Sequence, residues 1–121
     1  MHESSSFEQL VSEALDDLPE EFSSKLNNVS IVIEDYPTPY QQQKMRLRHP
    51  YQLFGLYEGI PQTKRTSGYS FLPDKITIFQ RPIEVFSPDE AAVKEQIRKT
   101  LLHEIGHHFG LTDQELKKIH Y

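Results

Sequence analysis

TLLHEIGHHFGLTD, residues 100–113, decides how this chain is read. His103 and His107 stand four residues apart, Glu104 follows the first, and Gly110 and Asp113 follow the second at intervals of three. On a helix, residues four apart lie about 5–6 Å from each other and differ by about 40° in direction. Two imidazoles placed this way can address one point in space. Zinc accepts histidine nitrogen at about 2.0–2.1 Å and prefers a tetrahedron, so His103 and His107 supply two corners. Glu104 sits on the flank of the same face, where its carboxylate can take a proton from a water without being a ligand. A straight helix cannot curl back to a third corner, but a chain that stops at Gly110 and reverses can. Asp113 is then the nearest oxygen ligand, with His120 the alternative. Asp113 also suits the first turn of a following helix, where an acid meets the helix dipole favourably. His108 is directed about 100° from His107 and reads as a core residue or a support behind the ligands.

Working outward, Ser87-Pro88-Asp89-Glu90 is a helix start: serine as the cap, proline in the first helical position and an acid three residues after the cap. Ala92, Val93, Ile97, Leu101 and Ile105 follow at helical spacing, which predicts a helix over about 88–109. Gly110 supplies the stop, and Thr112-Asp113-Gln114-Glu115 is a capping box that opens a short last helix.

Upstream, VSIVIED (29–35) is rich in β-branched residues and reads as a buried strand. LFGLYEGI (53–60) reads as a second strand with a glycine in its interior, and ITIF (76–79) as the clearest of all. Between the first two, prolines at 37, 39 and 50 and a glutamine run predict a long surface loop over 37–52. At the start, Phe7, Leu10, Val11, Ala14, Leu15 and Leu18 form one apolar stripe behind a cap at Ser5 or Ser6, and Pro19 ends or redirects that helix. The order predicts an α+β fold. A small mixed sheet packs against an N-terminal helix and a long active-site helix, and a short helix closes the chain.

The 121 residues are expected to form a single domain, 1–121. No stretch is long and apolar enough for a membrane span, and MHESSSFEQL lacks the features of a secretory signal, so a cytoplasmic location is expected. The absence of cysteine removes thiolate metal sites, which leaves histidine and carboxylate as ligands. Residues 1–36 carry nine acids and one base, while residues 37–121 carry nine acids and twelve bases. The total of −5 argues against a nucleic-acid partner, with KMRLRH (44–49) the one basic run.

Beyond the motif, FEQLVSEALDDLPEEF, LNNVSIVIEDYP, LFGLYEGIPQTKR, YSFLPDKITIFQRPIE and RKTLLHEIGHHFGLTDQEL together resemble the minimal zincins, small bacterial zincin-like proteins also described as an MMP-like domain family. The resemblance covers most of the chain, with about 39–52 distinctive. It implies His103 and His107 as zinc ligands, Glu104 as general base and Asp113 as third ligand. The larger metzincin peptidases carry a methionine-bearing turn after the ligands. Here Met1 and Met45 both precede the motif, so that turn is expected to be missing.

The reading that follows is a zinc-dependent metallopeptidase-like hydrolase acting on a peptide or protein substrate, without a nucleic-acid or membrane partner. The substrate would pair with a sheet edge above the active helix, for which Tyr69–Leu72 and Ile76–Phe79 are the candidates. A metal-stabilised interaction domain that binds a partner through residues 37–52 is the main alternative. A metal-dependent endoribonuclease is a further one, disfavoured by the acidic total and by Asp113.

Overall fold

The structure is a computed structural model that describes residues 6–59 and 74–108, the side chains of Lys25 and His107 apart. Helix α1 (Phe7–Asp16) begins where Ser6 accepts a hydrogen bond from the Gln9 amide at 3.1 Å, and Phe7, Leu10, Val11 and Ala14 are its buried face. Pro19 redirects the chain into a one-turn helix α2 (Glu20–Ser23), whose Phe22 enters the same core.

Strand β1 (Val29–Glu34) follows, then β2 (Gly55–Glu58) and β3 (Asp74–Phe79). They form a mixed sheet in the order β1-β3-β2, with β1 parallel and β2 antiparallel to β3. The register aligns Ile31 with Ile76 and Ile33 with Ile78, and Tyr57 with Ile76 from the other side. These residues share the sheet face that packs on the helices. Thr77 and Phe79 point to the opposite face and are buried as well. Burial on both faces is the mark of a central strand. This corrects the expectation that Ile76–Phe79 lines an edge, because β3 has a neighbour on each side.

The stretch 37–52 is not a plain loop. Pro39 opens helix α3 (Pro39–Lys44), and a 3₁₀ turn spans Pro50–Gln52. Thr38 and Gln41 form a reciprocal cap: the Thr38 hydroxyl accepts from the Gln41 amide at 3.1 Å, and the Gln41 side chain accepts from the Thr38 amide at 2.9 Å. Proline breaks a helix interior but suits its first position, where no backbone donor is needed. A second unanticipated helix, α4 (Gln80–Val85), runs directly on from β3 and buries Pro82 and Ile83.

Helix α5 (Glu90–His108) is the long helix the sequence predicts. Its cap is Asp89 rather than Ser87: the Asp89 carboxylate accepts from the Ala92 amide at 2.8 Å, while Ser87 donates to the Ile83 carbonyl at 2.7 Å and closes α4. Val93, Ile97, Leu101, Leu102 and Ile105 bury one side of α5 against α1 and the sheet. Among the described residues no helix is long and apolar enough to cross a membrane. The expected stop at Gly110, the last helix and the run 68–72 lie outside the described residues.

Candidate active site

Because α5 is continuous from Glu90 to His108, positions 99, 103 and 107 recur at one-turn intervals, about 6 Å apart along its axis. Ile97, Leu101 and Ile105 hold the buried side, so His103 and Glu104 fall at its border, each partly buried. They open onto a cleft of about 290 Å³ between the Gln52–Gly55 segment and α5, with Gln96, Lys99 and Thr100 completing the helix wall.

The far wall runs at Gly55 into the antiparallel strand β2, the outer strand on that side among the described residues. The Phe79 amide donates to the Phe54 carbonyl at 2.9 Å, which makes that pair hydrogen-bonded. Alternation along the ladder then points the backbone groups of Leu56 toward β3 and those of Gly55 and Tyr57 outward. The outward Tyr57 amide donates to Glu104 Oε1 at 3.0 Å. One bond thus ties the carboxylate next to His103 to the edge of the sheet.

Strand and helix can come this close because residue 55 has no side chain. A Cβ there would lie 2.5 Å from Thr100 Cγ2 and 3.3 Å from the Thr77 carbonyl oxygen. Thr100 is itself fixed, its hydroxyl donating to the Gln96 carbonyl at 2.7 Å. A glycine inside a strand pattern signals such a backbone approach, so the signal for Gly55 stands in the sequence. Tyr57 carries none, since it enters through its backbone.

The Tyr57 side chain is held at two points, and its two partners also lie close to each other. Its ring stacks on the His108 imidazole with centroids 3.8 Å apart and planes 12° apart. Its hydroxyl donates to Asp74 Oδ2 at 3.0 Å, and His108 Nε2 lies 3.7 Å from the same oxygen. His108 is therefore no core residue: it is exposed, and it lies on the tyrosine whose amide holds Glu104.

His107 lies on α5 one turn after His103, with its side chain outside the described residues, as are Asp113 and His120. Among the described residues no three histidines or carboxylates gather in a cluster able to hold a metal. The donor chemistry still suits a borderline divalent ion: imidazoles at adjacent turns of one helix, beside a carboxylate already occupied with a backbone donor. Comparison with curated proteins gives no match. A family model described as zincin-like metallopeptidase matches residues 26–121, which takes in β1, β2, β3 and α5, and the chain belongs to that family.

Proposed function

We propose that this chain is a zinc-dependent peptidase in which His103, His107 and Asp113 hold the ion and Glu104 is the general base. The observation that supports it is the placement of Glu104. Its carboxylate stands one residue from His103, beside an open cleft, and is fixed by the Tyr57 amide of an outer strand. A bound zinc ion would supply positive charge that polarises a scissile carbonyl and acidifies a water.

The chain's own residues do the rest. Glu104 takes a proton from the attacking water and passes it to the leaving amine. The Tyr57 bond limits the carboxylate to one orientation, which removes a conformational search from that transfer. With the Tyr57 amide held by Glu104, the outward backbone groups of Gly55 on β2 offer an extended peptide a place to pair, and so bring its carbonyl over the helix.

The test joins metal analysis to a peptide-cleavage assay. Chelation should abolish hydrolysis and added zinc restore it, and His103→Ala should lose bound zinc. Glu104→Ala should keep zinc yet lose about 10²–10⁴-fold in kcat, the usual contribution of a positioned base. A Glu104→Ala protein that cleaves as well as the wild type ends the proposal.

A further inference from the structure

The cleft carries a charge that the proposed reaction does not use. Helix α5 has three cations, Lys94, Arg98 and Lys99. Lys94 is neutralised by Asp17 at 3.1 Å and Glu13 at 3.6 Å, and Arg98 by Glu95 at 2.7 Å. Lys75 and Arg81, elsewhere on the surface, have acidic partners too. Lys99 makes no ion pair within 4.0 Å with any described residue and acts on Glu95 only at longer range, and it is the α5 cation that lines the cleft.

Its neighbours define what it can meet. Lys99 stands one turn before His103, about 6 Å along the helix axis. Across the cleft, Leu53 and Phe54 give apolar walls and Gln52 a neutral amide, while Gln96 stands on the helix side with Lys99. Among the described residues Glu104 is the one acid in the lining, and it is engaged by Tyr57. Lys99 is exposed beside this partly apolar cleft, and since Glu95, the acid it acts on, is bonded to Arg98 while Glu104 is bonded to Tyr57, its ammonium attracts an anion that arrives with the ligand. One residue of extended chain covers about 3.5 Å, and a flexible lysine stem bridges the remaining distance to a group next to the reacting bond.

We propose that Lys99 makes this cleft selective for a carboxylate on the substrate residue adjoining the cleaved bond, either its acidic side chain or its terminal carboxyl. The inference rests on the peptidase reading for the word substrate, and on the cleft alone for the carboxylate. A neutral amide of the same shape fits the same space but brings the ammonium no counter-charge of its own. Discrimination should therefore be electrostatic, modest in size and weakened by salt.

The experiment uses the full chain with zinc and pairs of fluorogenic peptides. Each pair differs by Asp against Asn, or Glu against Gln, at one position, and a second set differs by a free against an amidated C-terminus. The wild type should favour the carboxylate by about fivefold in kcat/KM, the scale of a solvent-screened pair. The first set identifies a side chain as the source and the second a terminus. Lys99→Met should abolish the preference, Lys99→Glu should invert it, and Arg81→Met should leave it in place. Equal cleavage of acid and amide by the wild type, or a preference that survives Lys99→Met, overturns the proposal while leaving the peptidase reading intact. If no peptide is cut, the peptidase reading fails, and binding of the same peptides by fluorescence anisotropy decides the carboxylate question. Tighter binding of the acid, lost in Lys99→Met, supports it, and equal binding overturns it.

Discussion

Gly55→Ala tests whether the closeness of β2 and α5 is set by one missing side chain. The added carbon would sit 2.5 Å from Thr100 Cγ2, where apolar carbons normally rest at about 3.5–4.0 Å. Relief by rotating Thr100 would break its 2.7 Å bond to the Gln96 carbonyl, worth about 1 kcal/mol. Moving the new methyl the other way is blocked by the Thr77 carbonyl oxygen at 3.3 Å and Ile78 Cδ1 at 3.6 Å. Overpacking of this kind costs about 1–3 kcal/mol. The lower chain entropy of unfolded alanine offsets about 0.4–1 kcal/mol of that. The net expectation is a loss of about 1–2 kcal/mol, or about 4–10 °C in Tm for a chain of this size.

Thr100→Ser separates this clash from a general intolerance of change in the strand. It removes the offending methyl, keeps the hydroxyl, and costs about 0.8 kcal/mol on its own. Denaturant melts of the wild type, both single variants and the double variant then give a coupling energy. If the contact is the cause, the double variant should be more stable than the sum of the singles predicts by about 1 kcal/mol or more. The Tyr57 amide, which Glu104 protects, should exchange faster with deuterium in Gly55→Ala and return toward its wild-type rate in the double variant. Additivity within about 0.3–0.5 kcal/mol would refute the reasoning.

Two further outcomes follow from the fold. Thr77 is 1% exposed in the central strand, and its hydroxyl has no hydrogen-bond partner among the described residues; Thr77→Val, the same shape without the polar atom, should raise stability by about 0.5–2 kcal/mol in a urea melt, and a loss would show that the hydroxyl is satisfied. Asp89→Ala should cost about 1 kcal/mol by thermal melting, more than Ser87→Ala, because Asp89 caps α5 while Ser87 only closes α4; the reverse ranking would return the cap to Ser87.

How far the sequence could be read depends on the range of the interaction involved. The stripe from Phe7 to Leu18, the strand at 29–34 and the long helix through His103 and Glu104 are local patterns, and each appears where the spacing puts it. The stretch 37–52 reads as a loop because proline has opposite meanings inside a helix and at its first residue. The reciprocal pair Thr38 and Gln41 is the local feature that separates the two cases. Ser87 and Asp89 are both good caps flanking a proline, so sequence alone leaves them ranked by convention. Sheet order is different in kind, since it depends on contacts between distant segments. Even there a clue existed: four successive buried residues, Ile76–Phe79, suit a strand covered on both faces better than an edge.

The support of Glu104 shows why the site is harder to read than the helix that carries it. Three features of β2 must coincide. Antiparallel pairing sets which amides face outward, Gly55 lets the helix approach, and the Tyr57 ring is fixed by Asp74 and His108. None of these is an acid, a ligand or a motif residue on β2. All three depend on the same register, because strand residues alternate faces with a period of two. A slip of one residue against β3 would turn the Leu56 amide outward, send the Tyr57 ring to the other face of the sheet, and move Gly55 away from Thr100. The carboxylate would lose its donor, its near wall and the stacked pair behind them in one step. The geometry of the Glu104 carboxylate is therefore a property of strand pairing as much as of the helix sequence HEIGH, which is why the pattern of residues 103–107 locates that carboxylate but not the bond that holds it.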